Sequence, residues 1–425
     1  MATVPIALTT PMQDLLDRLN HVRDWLNIYC IERKEEIDLQ LLATIAAIDM
    51  LLLGDWGVGK TWQIELMVKH CIVHDDGTSL GHDLFTHLCA KDQSVGEILG
   101  ERDVLALQQG RVARITAGML PTAVFAYLDE IFKSSPPLLN PLLDIFAKRE
   151  LKIGGSVLDC SQLVTIFMSS NELPDREDLM AFRDRIAITK FVEGVRSPEG
   201  RRKVTDMQLA YQANADNVDP AGLVPFTLSE LAQMREYARR VIVPDPIRDI
   251  MGQIEQQAFE AHHPPSQRRK GDIWRAVKTR AFMRGSDTVS TDDFLVAEHM
   301  LWNLKSDADS AHEIVLRFAN QFVRKAAAIE AELEPIMSEM DKIKQAIDAA
   351  STRDEKLQVQ SGGFHFMHSL ASIVEKTDDY IKQGQREGHD VTALLDARTK
   401  VEKARKWTIK ELTGVSDDDD EDDDD

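Results

Sequence analysis

Three short apolar runs punctuate the first half of the chain at strand length: Ile48 with Met50–Leu53, Val124–Leu128 and Leu163–Met168. Between them the apolar positions fall at helical spacing, and residues 31–217 therefore read as alternating strands and helices of an α/β domain with a parallel sheet. Ahead of it, Met12, Leu15, Leu19, Val22 and Leu26 repeat in steps of three and four, which predicts an amphipathic helix within residues 1–30. Asp216–Pro225 carries proline and glycine and reads as a linker. The sequence Thr227-Leu-Ser-Glu230 then forms a capping box that opens a helical segment running to about Asn303. The next seam, Val315, Phe318, Phe322, Ala326, Ile329, Leu333, Ile336, Met340, Ile343 and Ile347, has coiled-coil-like spacing. Pro335 is expected to kink or break it. Ser351–Gly363 reads as a polar turn region. Two more helices follow, one through Phe366, Leu370, Ile373 and Val374, the other through Val391, Leu394, Ala397, Val401 and Ala404. Five segments result: an N-terminal helix (1–30), the α/β domain (31–217), a helical domain (218–306), a C-terminal helical domain (307–415) and a tail (416–425).

Charge narrows the partners. The 425 residues carry a formal net charge of −21, and nine acidic residues sit in Asp417–Asp425, leaving about −12 for the rest. Such a surface does not favour indiscriminate nucleic-acid binding, though a local basic channel is compatible with it. The tail has no apolar residue to bury and is expected to be disordered. It serves either as a nucleic-acid mimic or docking tail for a basic partner, or as a solubilising extension. Cys30, Cys71, Cys89 and Cys160 are widely spaced, which fits reduced thiols in a cytosolic protein. The first turns contain Asp14, Asp17 and Arg18 and no signal-peptide core. The longest apolar stretch, Leu41–Leu53, is interrupted by Asp49 and too short to span a bilayer.

Residues 54–61, Gly-Asp-Trp-Gly-Val-Gly-Lys-Thr, form a complete G-x-x-x-x-G-K-T phosphate loop between an apolar run and a helical segment. Its glycines let backbone N–H groups face a polyphosphate at a helix N-terminus. Gly54, Asp55, Trp56, Gly57, Val58, Gly59, Lys60 and Thr61 are thus nucleotide-binding candidates. Lys60 is suited to the outer phosphates and the Thr61 hydroxyl to Mg²⁺. The run Val124-Phe-Ala-Tyr-Leu-Asp-Glu130 sets Asp129 at a strand end to hold Mg²⁺ and Glu130 to polarise an attacking water. A third run ends in Ser169-Ser-Asn171-Glu172; Asn171 either bonds the attacking water or the outer phosphate, or caps a turn. Cys71, His74, His82, His87 and Cys89 match no zinc spacing and read as ordinary buried or surface residues.

Phosphate loop, LDE strand, SSNE strand tip and Phe182-Arg-Asp-Arg185, in this order, resemble the AAA+ ATPases, most closely the MoxR family and its RavA-like branch. Gln108–Pro121 looks like that family's insertion in its second helix. Ile131–Leu143 continues the LDE strand as family members do, and Arg149–Ser161, with Gly154-Gly155, looks like the hairpin before the sensor strand. Ser170–Pro174 completes the set. The resemblance covers roughly residues 25–304 and does not securely reach the C-terminal helices. It implies an AAA+ core with an all-helical lid and a C-terminal helical extension. It also implies an ATPase that uses ATP and Mg²⁺, forms a homo-oligomer, commonly a hexameric ring, and remodels a protein client with a separate von Willebrand A domain partner. Asn171 takes the sensor-1 position. Arg185 takes the arginine-finger position, serving a neighbouring subunit, with Arg183 as fallback; surface ion pairs with Asp184 or Asp178 are the alternative. Arg268, with Arg269 close behind, takes the sensor-2 position, while Gly271 and Asp272 leave the helix start open. Asp55-Trp56 departs from the small residues or proline usual there, which leaves the phosphate cradle intact. Two other classes stay in view. One is a nucleic-acid motor, whose only grips in the hairpin region are Lys148, Arg149 and Lys152; the other is a nucleotide-switched scaffold, against which Glu130 and Asn171 argue.

Overall fold

The computed structural model describes residues 10–173, 177–213, 218–319, 321–350, 352–387, 389 and 391–413. The acidic tail, Pro174 and part of the Asp216–Pro225 linker lie outside the described residues. The chain divides into two compact units, one ending at Val315 and the other starting at Leu316.

In the first unit, α1 (Thr10–Tyr29) and α2 (Lys34–Ala46) precede β1 (Met50–Leu53), the phosphate loop and α3 (Lys60–Cys71). There follow β2 (Ile72–Val73), β3 (Leu84–Leu88), α4 (Gly96–Leu99), α5 (Val104–Gln108), β4 (Phe125–Asp129), α6 (Pro136–Lys148) and the hairpin β5 (Glu150–Ile153) and β6 (Ser156–Asp159). Then come β7 (Thr165–Ser170), α7 (Glu177–Arg183), β8 (Ile188–Phe191) and α8 (Pro198–Ala213). After β9 (Phe226–Thr227), the helical lid comprises α9 (Leu228–Arg240), α10 (Asp245–Glu260), α11 (Gln267–Met283), a 3₁₀ helix (Thr291–His299) and α12 (Ala308–Phe318), whose last residues cross into the second unit.

Five strands pair in parallel in the order β3-β4-β7-β1-β8. Met50–Leu53, Phe125–Leu128 and Ile166–Met168 are almost wholly buried, as expected where helices cover both faces of a parallel sheet. Leu53 pairs with both Ser170 and Phe191, so the loop after β1 emerges between the ends of β7 and β8. That crevice at the carboxyl ends of the strands is where such sheets bind ligands. α2 occupies the first part of the Leu41–Leu53 apolar stretch. Every residue from Leu39 to Ala46 is buried, so it shows no polar face and its period is invisible in the sequence. The Gln108–Pro121 segment is not helical apart from its first residue and a 3₁₀ turn at Leu120–Thr122; a bridge between Arg102 and Arg114 ties it back. The Gly154-Gly155 turn joins β5 and β6 in the register Ile153 to Ser156. In the lid, the Thr227–Glu230 capping box is formed, and Ser266 caps α11 by accepting from the Arg269 amide, which sets its start at Gln267.

The second unit is a bundle of α13 (Gln321–Ala349), α14 (Arg353–Glu387) and α15 (Thr392–Thr413), each packing on the other two. Its core runs from Phe322, Ile329 and Leu333 across Leu370 and Ile373 to Leu394, Ala397 and Val401. Of the kink or break expected at Pro335 the break is absent, and the turn expected over Ser351–Gly363 is helix from Arg353 onward. Pro335 lies inside an unbroken α13, where Leu333 and Met340, buried to either side of it, hold the helix by packing while one backbone hydrogen bond is forgone. Gly362-Gly363 belongs to α14 rather than to a turn. A Cβ on Gly363 would stand 2.7 Å from Leu412 Cδ2, so glycine there permits close approach of α15. No helix among the described residues is long and apolar enough to cross a membrane.

Candidate functional site

The phosphate loop leaves β1 at Gly54, where backbone closeness leaves no room for a side chain: a Cβ would lie 2.2 Å from the Val192 carbonyl oxygen. Gly59, the residue before α3, has φ of +84°, a conformation that glycine adopts without strain. The loop thus delivers Lys60 and Thr61 to the first turn of α3, with the free N–H groups of the helix end directed into the crevice.

Lys60 is buried. Its ammonium donates to the Gly54 carbonyl, to the Asp55 carbonyl at 3.1 Å and to Asn171 Oδ1 at 2.9 Å. Burial lowers its pKa, while Glu130, Asp129 and Asp55 pull the other way. The ends of β1, β4 and β7 therefore meet at one cation, although residues 60 and 171 are far apart in sequence. Thr61 Oγ1 donates to the Tyr127 hydroxyl at 3.1 Å, and that hydroxyl donates to Asp129 Oδ1 at 3.4 Å. Ser169 Oγ also donates to Asp129, so the carboxylate is oriented from two strands. Burial raises the Tyr127 phenol to about 12 and keeps it a neutral donor. Thr61 and Asp129 are thus an oxygen donor pair fitted to a hard cation such as Mg²⁺.

Glu130 follows with φ of +54° and ψ of +42°, left-handed backbone that is costly for a residue with a side chain. Its amide is shared between Asp129 Oδ1 at 3.1 Å and Ser169 Oγ at 3.4 Å, and its carboxylate lies 3.6 Å from Lys133 Nζ. The strain turns the chain sharply off the strand end and leaves Glu130 beside the Lys60 site.

On the other side of the loop lies a cavity of about 1060 Å³, lined by Ile31, Val58, Trp62, Val195, Val204 and Met207 among others. Two of its residues were not singled out in the sequence. Arg33, buried at the end of α1–α2 connection, donates to the Val58 carbonyl at 3.1 Å and to the Glu193 carbonyl, tying the loop to the segment after β8. Gln63 borders the cavity with both amide atoms buried and without a protein partner, an orphaned donor and acceptor that suit a polar ligand edge. Trp56 also lines it and is 83% exposed.

The four arginines separate sharply. Arg185 is half-buried just past α7, its Nη1 donating to the Ala181 carbonyl at 2.5 Å. Arg268 is largely exposed on α11, 3.6 Å from Asp184. Arg183 and Arg269 are both buried in the interior and bonded to main-chain carbonyls. In this arrangement neither guanidinium is offered at the surface of the chain. Asp184 pairs with the lid arginines rather than with Arg183 or Arg185. The cysteine and histidine residues between 71 and 89 do not converge either. His74 pairs with Asp83 at 2.8 Å, and burial raises the thiols of Cys71 and Cys89.

Residues 17–217 match the MoxR domain of the MoxR-vWA-beta-propeller ternary systems, and residues 245–315 match an AAA lid domain. Two uncharacterized proteins of Methanocaldococcus jannaschii are 28% and 29% identical over 315 and 326 residues. These alignments take in 74% and 76% of this chain and 78% and 82% of the relatives. A structural protein of Acidianus two-tailed virus is 27% identical over 188 residues, 44% of this chain and 29% of its own. Among solved structures, a candidate ATPase from Cytophaga hutchinsonii shares the fold with a TM-score of 0.57 and 14% identity, over 73% of this chain and 96% of that one. With sheet, phosphate loop and lid in the order of the two matches, the chain carries a MoxR-type AAA+ domain over residues 17–217 and an AAA lid domain over residues 245–315.

Proposed function

We propose that the chain hydrolyses ATP in a ring of its own copies and couples turnover to remodelling a protein client in the cytoplasm, acting with a separate von Willebrand A domain protein. The observation that carries the reading is the meeting of Lys60, Thr61, Asp129, Glu130 and Asn171 at the carboxyl edge of the sheet. In this reading the loop N–H groups and Lys60 bind the phosphates, and the adenine enters the cavity beside Ile31 and Met207. Asn171 and Glu130 orient a water, and Glu130 takes its proton as the water oxygen bonds the terminal phosphorus and the bond to ADP breaks. Mg²⁺, held through Thr61 and Asp129, would neutralise charge on the phosphate oxygens. Arg185 is the guanidinium donated to the neighbouring subunit, and Arg268 the lid arginine that faces the nucleotide. The RavA-like branch is favoured by the resemblance of the ordered motifs together with Gln108–Pro121, Ile131–Leu143 and the Arg149–Ser161 hairpin.

A protein client is favoured by the surface next to the hairpin. Val104, Leu105, Leu107, Val112, Ile115 and Val157 are each more than half exposed, and the Gly154 turn approaches the Val112 side chain. Apolar residues of this kind suit a polypeptide better than a phosphate backbone. Two of the three hairpin-region cations are also engaged: Arg149 is bidentate on buried Asp49 at 2.6 and 3.0 Å, and Lys152 lies 3.0 Å from Asp144. The partner is suggested by the ternary systems named in the matching domain model. Steady-state ATPase rates with single-stranded DNA or RNA and with unfolded polypeptides test this reading. Stimulation by polypeptide supports it; stimulation by nucleic acid alone would transfer the chain to the motor class.

A further inference from the structure

Arg183 and Arg269 are among the largest side chains in the described residues that are removed almost wholly from water, and neither rests on a close carboxylate. The nearest, Asp184, is 3.9 Å from Arg269 and is shared with Arg268. Both guanidinium groups end on main-chain carbonyls instead. Arg269 Nη1 donates to Met300 O at 3.0 Å and Trp302 O at 3.3 Å, and Nη2 donates to Arg183 O and Asp184 O, each at 3.1 Å. Arg183 donates to Ile186 O at 3.2 Å and to the same Trp302 O at 3.1 Å, and its guanidinium lies 5.4 Å from the centre of the Trp302 ring. That ring stacks on Phe191 of β8 at 5.2 Å.

Burying two neighbouring cations is expensive, and apolar residues of similar volume would fill the space at lower cost. Planar forked donors do what apolar residues cannot: they fix the register of separate backbones. Three segments are joined here: helix α11 of the lid, residues 300–302 at the end of the lid's 3₁₀ helix, and the turn 183–186 after α7. The turn carries Arg185. Every terminal N–H of Arg269 is taken by a carbonyl, and only its Nε remains without a partner, so this arginine is occupied with backbone rather than ligand.

We infer that Arg269, seconded by Arg183, is a positioning residue for Arg185: it bolts the turn that carries Arg185 to the lid, so that displacement of α11 in one subunit moves the guanidinium offered to the next. The inference rests on the reading of Arg185 as the residue donated to a neighbour. It makes the lid of each subunit a regulator of hydrolysis in the adjacent one.

The test uses the full chain with Arg269→Met, which keeps bulk and removes all four bonds, beside Arg269→Lys and Arg185→Ala. Turnover by Arg269→Met is expected to fall about 10- to 100-fold, the usual consequence of misplacing a catalytic group by about an ångström. Its affinity for a fluorescent ATP analogue should stay within about twofold, since its own site is untouched. Arg269→Lys should not restore the rate, because an ammonium cannot span four carbonyls on two segments. Mixing with Glu130→Gln subunits should restore activity to Arg269→Met. Its intact Glu130 then receives Arg185 from a neighbour whose clamp is whole, whereas a fold defect inside its own site would not be repaired. Normal turnover, or a loss that mixing fails to restore, overturns the inference. If Arg185→Ala itself turns over ATP normally, the reading of Arg185 fails, whatever Arg269→Met does. Should Arg269→Met not fold, Arg183→Gln leaves the four Arg269 bonds and is expected to give a smaller loss with the same rescue; an unchanged rate there counts equally against the clamp.

Discussion

Helix α14 carries three glycines, and replacing each with alanine separates backbone propensity from packing. Alanine in a helix interior gains about 1 kcal/mol over glycine. At Gly362 nothing lies within 4 Å of the added Cβ, so Gly362→Ala should realise that gain. At Gly363 the new carbon would be 2.7 Å from Leu412 Cδ2 and 3.5 Å from Ile343 Cδ1. Leu412 is buried, but its methyl end can shift, and overpacking of this kind costs about 1–3 kcal/mol; the balance is roughly neutral to 2 kcal/mol unfavourable. Gly384 is the harder case. Its Cβ would be 2.4 Å from Val391 Cγ1 and 3.4 Å from the Phe322 ring; valine is stiff at χ1 and Phe322 is wholly buried. The overpacking cost at its upper end less the propensity gain leaves Gly384→Ala about 2 kcal/mol less stable. Amide hydrogen exchange of α14 peptides in the full chain reads the bundle without averaging over the first unit. A loss of about 2 kcal/mol quickens exchange roughly 30-fold, and a gain of about 1 kcal/mol slows it roughly fivefold. If Gly362→Ala and Gly384→Ala shifted exchange in the same direction, packing of α14 against α15 and the start of α13 would be wrongly described.

At the nucleotide site, Lys60→Ala is expected to weaken ATP binding at least about tenfold by titration, because the ammonium contacts ground-state phosphates. Light scattering with ATP should show a particle of about six chains, or an open spiral of similar mass, since a shared nucleotide belongs to each interface; monomer alone at micromolar protein contradicts this. Burial raises the Glu35 carboxyl, but His299 at 2.9 Å and Lys190 at 2.5 Å outweigh it and hold the pKa at about 2 rather than 4.5. A lowered carboxyl stabilises the fold above its unfolded value and loses that contribution as pH falls through about 4.5 towards 2. Glu35→Gln should therefore flatten the fall in thermal midpoint over that window, and an unchanged profile would remove Glu35 as a cause.

The legible parts of the site were those whose signal is local. The phosphate loop has its spacing in eight consecutive residues, and β4 and β7 announce themselves as apolar runs ended by polar ones. The Thr227–Glu230 capping box is likewise complete within four residues. What stayed hidden depends on distant partners. Tyr127 looks like one more apolar strand residue until its hydroxyl is found between Thr61 and Asp129. Arg183 and Arg269 look like surface charges because nothing nearby in sequence reveals that most of the carbonyls receiving them lie 31 to 119 residues away. Glycine and proline misled in the bundle for the same reason: local propensity argued for breaks at Pro335 and Gly362-Gly363, and packing along α13 and α14 prevailed.

The claim that Glu130 acts on the water while Lys60 and the loop hold the nucleotide has its most direct test in one variant. Glu130→Gln keeps the size and the left-handed backbone position of the side chain and removes its capacity to take a proton. Equilibrium binding of ATP and single-turnover hydrolysis should be measured on the same preparation. Binding unchanged within about threefold, with hydrolysis slowed by about 100-fold or more, is the expected result. Hydrolysis at the rate of the unaltered chain would contradict the assignment of the β4 end as the catalytic edge.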